Sequence, residues 1–198
     1  MPGCRAPRTR HDTPGLRRDQ GQVMTMYATR FGAIDVPQDK RWICAEPMPG
    51  FEELREFALV QLAGQAPFIW LQSLEVPDVA FLMADAACFG LRFPARDADP
   101  GEFDAPPCVL VILPQAPGEA LRVHRLAPLL FNVAQARFLQ RVFETDQVTG
   151  EGVWTGRRST ETDAAWHARL VEFQPPPLQD AASPGVQSAG RSSELAVS

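Results

Sequence analysis

Lysine is nearly missing from this chain: Lys40 stands alone beside 18 arginines, a bias of genomic base composition rather than of function. Long apolar runs are missing too. No stretch approaches the roughly 20 residues that a bilayer-spanning helix needs. The charged N-terminus lacks the apolar segment that would make it a secretory signal. Cysteine is sparse, and Cys4, Cys44, Cys88 and Cys108 form no C-x-x-C pair and no cluster with histidine. That scatter argues against a zinc site or a disulfide framework and for isolated thiols in a reducing compartment. The expectation is a cytoplasmic protein with no metal, no cofactor and no membrane contact.

Reactive constellations are equally scarce. His11, His124 and His167 fall in an N-terminal extension, a strand and a surface helix, and no acid or nucleophile signature accompanies them. Ser73 is not in a G-x-S-x-G elbow. Gly150, Gly152 and Gly156 punctuate a loop without the Lys-Ser/Thr of a phosphate loop. Glu52, Glu53 and Glu56 read as a solvated acidic face, and Asp97, Asp99 and Asp104 lack calcium-loop spacing. No catalytic residue is named, and the chain reads as a non-enzymatic protein.

What is present is a core, many prolines and uneven charge. The 198 residues suggest one domain with tails, and a hydrophobic fraction of 45% is ordinary for a globular protein. The 19 prolines, many between apolar runs, favour short strands and loops over long helices. Residues 1–22 carry a balance of +3 and the tail from Gln174 one of −1, so residues 23–173 hold −7 of the overall −5. An acidic body disfavours direct nucleic-acid binding, which rests on neutralising phosphates. It favours encounter with a basic partner.

Along the chain, residues 1–22 and 174–198 are rich in Pro, Gly, Ser and Ala and are expected to be disordered. Between them the segments are short and β-like. Residues 26–31 and 33–36 flank Gly32, predicting a strand with a bulge or sharp bend. Residues 41–44 follow as a strand. MPGFEELREF (48–57) predicts a turn entering one or two helical turns, with Phe51, Leu54 and Phe57 on one face. Residues 58–62 extend again. PFIWLQSL and VAFLMAD, joined by Glu75-Val76-Pro77-Asp78, predict a β-hairpin over 67–85, apolar on both faces and therefore covered on both. Phe68, Trp70 and Phe81 are assigned to the core. Residues 86–106 read as loop or short helix; 108–114, 120–125, 128–134 and 137–144 read as strands. TDAAWHARLVEF (162–173) predicts a short helix with Trp166, Leu170 and Phe173 on its inner face. The whole predicts a mainly β, antiparallel β-barrel-like single domain with short helices.

MPGFEELREF (48–57), PFIWLQSLEVPDVAF (67–81) and RLAPLLFN (125–132), in that order after RFGAIDV (30–36), resemble the FliW family of flagellar assembly factors. On that resemblance the domain spans 23–145, with 146–173 a C-terminal extension containing a helix. The resemblance implies a monomer with two protein partners: cytoplasmic flagellin before its export, and CsrA, an RNA-binding translational regulator. Flagellin would occupy the factor while abundant, and the freed factor would capture CsrA. The chain departs from the family at Arg122, Val123 and His124, where a Thr-Ala-Asn sequence is usual, and at Ala136-Arg137-Phe138-Leu139, where a Lys/Arg/Gly-rich turn is usual. The partner-contact candidates are Phe51, Gln72, Asp78 and Asn132 within the matching stretches, with Phe138 and Trp154, flanked by small or polar residues, as exposed contacts. The alternative left open is a diverged small β-barrel ligand-binding or enzymatic domain, which a deep polar pocket around His124 would favour.

The two tails offer little apolar surface to bury. A chain running from Met24 to Gln174 is expected to unfold cooperatively at nearly the full-length midpoint, and a loss of several degrees in a thermal melt would reveal a docked tail.

Overall fold

The computed structural model describes residues 25–94, 103–156 and 164–175; the expectations for 1–22 and 176–198 lie outside them. Eleven strands are found there: β1 (Met26–Thr29), β2 (Gly32–Asp35), β3 (Arg41–Cys44), β4 (Glu56–Leu62), β5 (Ile69–Ser73), β6 (Ala80–Asp85), β7 (Cys108–Ile112), β8 (Arg122–Val123), β9 (Leu129–Asn132), β10 (Arg137–Gln140) and β11 (Leu170–Phe173). One short helix, α1 (Ala164–Ala168), precedes the last strand. Seven strands close into a barrel in the order β4-β3-β10-β9-β7-β6-β5, with β5 returning to pair with β4. All of these pairings are antiparallel except β3 with β10. The fold is the mainly β barrel expected from the run of short strands.

The interior is aromatic at its centre. Trp42, Phe57, Phe131 and Phe138 are fully buried. Phe131 meets Trp42 edge-on at 5.2 Å and stacks on Phe138 at 5.3 Å, and Phe138 meets Phe57 edge-on at 5.3 Å. Such pairs are worth about 0.5–1.5 kcal/mol each beyond their area. Trp166 on α1 lies 4.8 Å from Phe131 and 5.6 Å from Trp42, so the helix adds its indole to the same cluster.

Two smaller cores lie outside the barrel wall. The β1–β2 hairpin lays Ile34 and Val36 over Ala58 and Val60 of β4 and Val171 of β11. On another face, Phe89, Leu91 and Val148 cover Ala84 of β6 and Val109 and Val111 of β7. This is why Ala58, Leu59 and Val60 are consecutive and all fully buried: alternate side chains enter the barrel and the outer layer.

Several local expectations change. Residues 26–35 form a hairpin whose two-residue turn is Arg30-Phe31, not one bulged strand; the period-2 pattern cannot tell a chain reversal from a bulge when both leave one residue at positive φ. Residues 48–54 form turns, not a helix, and Phe57 belongs to β4. Leu170 and Phe173 lie on β11, not on the helix, because that strand pairs in parallel with the free half of β4. Phe68, Trp70 and Phe81 are half-buried rather than core: Trp70 packs on the outer layer, edge-on to Phe31 at 5.3 Å.

The strap at 148–155 is fastened by its backbone. Arg92 and Thr149 exchange two hydrogen bonds of 3.0 Å, and Thr155 donates its N–H to the Cys88 carbonyl at 3.0 Å. Gly150 has φ +100, and a Cβ there would sit 2.1 Å from the Gly90 carbonyl oxygen. Gly150→Ala should therefore lower unfolding stability by more than about 1 kcal/mol in urea titration, whereas Gly118→Ala, which meets no neighbouring atom within 4 Å, should cost less.

Candidate functional site

Two loops meet at one end of the barrel through a carboxylate. Glu75, in the β5–β6 loop, accepts hydrogen bonds from the main-chain N–H groups of Arg55 (2.6 Å) and Glu56 (3.2 Å), and Leu74 N–H donates to the Glu56 carbonyl at 2.9 Å. The β5–β6 loop is also tied from inside. The fully buried Gln72 amide donates to the carbonyls of Ser73 (2.8 Å), Pro77 (3.0 Å) and Val79 (3.1 Å). Ser73 Oγ accepts from Glu75 N–H (3.2 Å) and Val76 N–H (3.0 Å). A loop held at this many points is a preformed platform rather than a mobile tip. It presents Val76, 40% exposed, beside Asp78.

The 48–54 loop completes the platform. Met48 and Phe51 form an isolated bridge around Pro49-Gly50, and the Glu52 carboxylate accepts the Gly50 N–H at 2.9 Å. That bond holds the Glu52 carboxyl below its usual range. Phe51 is 37% exposed and its ring meets Phe81 edge-on at 4.8 Å. Glu52, Glu53, Glu75 and Asp78 are all exposed around these apolar side chains. Chemically this is an apolar contact ringed by these four acids, with the exposed Arg55 in the same loop.

The six candidate contacts separate. Phe51 and Asp78 stand exposed on the platform, and Gln72 lies beneath it as the residue that fixes its shape. Asn132 is buried, its Oδ1 accepting from Gln135 N–H at 2.7 Å to shape the β9–β10 turn. Phe138 is not an exposed contact: it is fully buried between Phe57 and Phe131, because β10 turns it inward. Trp154 is half-buried, stacked on Phe68 at 5.2 Å and edge-on to Phe89 at 5.4 Å. Sequence reasoning missed Glu75, whose signal was its place as an acid at the start of a hairpin loop facing strand N–H groups.

No group of three His, Cys, Asp or Glu side chains is placed to hold a metal ion among the described residues. Cys44, Cys88 and Cys108 are all buried. Desolvation raises the Cys44 and Cys108 thiols above their ordinary range. His124 is exposed rather than set in a deep polar pocket, and the barrel interior is filled by side chains.

The family model described as FliW protein matches residues 25–151, which takes in β1 to β10. The chain belongs to the FliW family. Among relatives, a flagellar assembly factor FliW of Syntrophotalea carbinolica is 31% identical over 125 residues, covering 60% of this chain and 89% of that protein. A FliW of Thermotoga maritima is 29% identical over 130 residues, covering 61% and 87%. A crystal structure of the flagellar assembly factor FliW superposes with a TM-score of 0.55 at 22% identity, covering 66% of this chain and 96% of that one, a likeness of fold. No helix among the described residues is long and apolar enough to cross a membrane. The FliW match ends before α1 and β11, which nonetheless reach the barrel: Lys40 Nζ donates to the Leu170 carbonyl at 2.8 Å, and Arg169 donates to the Asp39 carbonyl at 2.7 Å.

The platform's rigidity can be tested at Gln72. Gln72→Leu keeps the volume but removes the amide that donates to the Ser73 and Pro77 carbonyls and one of the two donors to the Val79 carbonyl. It should cost about 1–3 kcal/mol and speed hydrogen exchange at Val76 and Val79. Unchanged exchange there would mean that Glu75 and Ser73 hold the loop alone.

Proposed function

We propose that this chain is a cytoplasmic, non-enzymatic flagellar assembly factor that binds flagellin before export and, when free, antagonises the translational regulator CsrA. The observation that carries this reading is the FliW match over residues 25–151, whose most characteristic stretch builds the Gln72–Glu75 platform. A preorganised apolar patch with exposed acids suits protein partners, since little ordering entropy is lost on docking. CsrA, as an RNA-binding protein, is expected to present basic surface. The acids at Glu52, Glu53 and Asp78 would speed its encounter. Flagellin's amphipathic segments would use the apolar side chains instead.

The family departures bear on this scheme unequally. Phe138 and Leu139 are buried and meet no partner directly. Arg122, in an ion pair with Glu119, and His124 are exposed and change the surface chemistry.

Association rates of the two partners, measured by surface plasmon resonance between about 50 and 500 mM salt, separate the two modes, because the Debye length shrinks from roughly 14 to 4 Å over that range. The CsrA rate should fall steeply and the flagellin rate only slightly. Glu52→Lys combined with Asp78→Lys should flatten the CsrA dependence. A flat wild-type rate would remove the platform from the encounter, and flagellin binding without CsrA binding would leave a flagellin chaperone only.

A further inference from the structure

The barrel is closed, but its β6–β7 seam is short. The β6–β7 ladder runs from Asp85↔Cys108 to Met83↔Leu110 and stops. The next partners in that register would be Leu82 with Val111, Phe81 with Ile112 and Ala80 with Leu113. The Met83↔Leu110 pair that ends the ladder takes up the Leu82 carbonyl and the Val111 N–H; beyond it Phe81 meets no partner in Ile112, nor Ala80 in Leu113, and all six residues line a groove of about 440 Å³. The groove is therefore a wedge between two strands that splay apart.

The wedge has directed main-chain groups. Ala86 N–H donates to the Pro107 carbonyl, and on the other edge of β7 His124 N–H donates to the Leu110 carbonyl, both at 2.9 Å. The alternation of an antiparallel ladder then turns the main chain of Val111 and Leu113 toward β6. Ser73 N–H donates to the Val79 carbonyl at 3.0 Å, so by the same rule Ala80 and Leu82 face β7. Leu113 has no main-chain hydrogen-bond partner among the described residues. Apolar side chains accompany these edges: Leu113 is 52% exposed and Ile112 42%.

The charge at the wedge is opposite to that of the body. Its ionisable lining side chains are Arg30 and His124, with no carboxylate. Arg30 is exposed, its guanidinium 5.0 Å above the Trp70 ring and 5.8 Å from that of Phe31. It has no hydrogen-bond or ion-pair partner among the described residues. Stacking fixes the guanidinium while leaving its donor fork free, which suits bidentate capture of a carboxylate.

We propose that this wedge docks an extended segment of a protein partner, added as a strand along the free edges of β6 or β7, with alternating apolar side chains and a carboxylate that pairs with Arg30. Main-chain bonds supply affinity in this mode and the alternate side chains supply specificity. The occupant is acidic by charge complementarity, so residues 1–22, with a balance of +3, are the wrong sign for it. The inference rests on the reading of the chain as a protein-binding factor, but it names a second site, which adjoins the acidic platform at Phe51.

The test is selection of random dodecapeptides displayed on phage against the full chain, followed by fluorescence anisotropy with the enriched peptides. The expected consensus is apolar at alternate positions with an Asp or Glu. Binding should slow hydrogen exchange at Leu82 and Leu113, and Arg30→Glu should weaken it at least tenfold, Arg30→Lys less. Enriched peptides that bind Arg30→Glu equally well, or protect neither strand, overturn the proposal, as does failure to enrich any alternating sequence. Tighter peptide binding by a Leu195→Asp, Val197→Asp variant would also overturn it, by assigning the wedge to the chain's own tail. Self-association lost in Arg30→Glu would overturn it in favour of a second copy. Flagellin and CsrA binding are measured on the same Arg30→Glu protein: if both are retained while the peptides fail, the wedge proposal falls and the assembly-factor reading stands. If the peptides bind as expected while neither protein binds even the wild type, the reverse holds.

Discussion

β4 carries the barrel because it is long enough to serve three neighbours. On one edge it pairs with β5 over Phe57–Val60; on the other, β3 takes Glu56–Ala58 and β11 takes Leu59–Leu62. The seven residues Glu56–Leu62 thereby join the closing pair of the barrel to the incoming C-terminal strand. Removing edges by closure is the general remedy for strands that would otherwise template aggregation. Here β11 finishes the edge that β3 is too short to cover.

Closure also dictates where aromatic mass can go. A seven-strand barrel is narrow, and Trp42, Phe57, Phe131 and Phe138 fill its centre in edge-on and stacked contacts. Strand residues of opposite parity face outward, and the chain covers them with the β1–β2 hairpin on one side and the 148–155 strap on the other. Surface is left where neither cover reaches: at the Phe51 and Val76 platform and at the wedge beside Trp70. Both candidate contact surfaces are therefore consequences of incomplete covering rather than added devices.

Much of this was legible in the chain. The 67–85 hairpin, the strand at 41–44, the strand expected over 108–114 (found over Cys108–Ile112) and the β-barrel class follow from short apolar runs bounded by proline and turn residues. The helix expected over 48–57 was not there, because Phe51, Leu54 and Phe57 satisfy a helical spacing that a Pro-Gly turn followed by a strand satisfies equally. The same coincidence hid β11: Trp166, Leu170 and Phe173 read as one helical face, and only nonlocal parallel pairing with β4 reveals Leu170 and Phe173 as a strand. Phe138 was misplaced for a related reason. It sits between Arg137 and Leu139 in a segment expected to be exposed, but on β10 its parity with Phe131 across the ladder turns it inward. The wedge could not be read at all, since it depends on where a register stops.

The platform and the wedge are not independent surfaces. Phe51 is exposed on the platform, lines the wedge, and rests edge-on against Phe81 at 4.8 Å. Phe81 pairs with Leu71 of β5 but has no partner on β7. A segment that entered along β6 would touch Phe81, and Phe51 could not keep its present contact if that ring turned. An occupant of the wedge that turned the Phe81 ring would thus change the contact that Phe51 makes on the platform. If the two occupants bind with different affinity before and after that change, linkage requires each to alter the other's affinity by the same factor. Coupling of this kind needs an element shared by both surfaces. In this chain a single aromatic contact is the physical element through which it would pass.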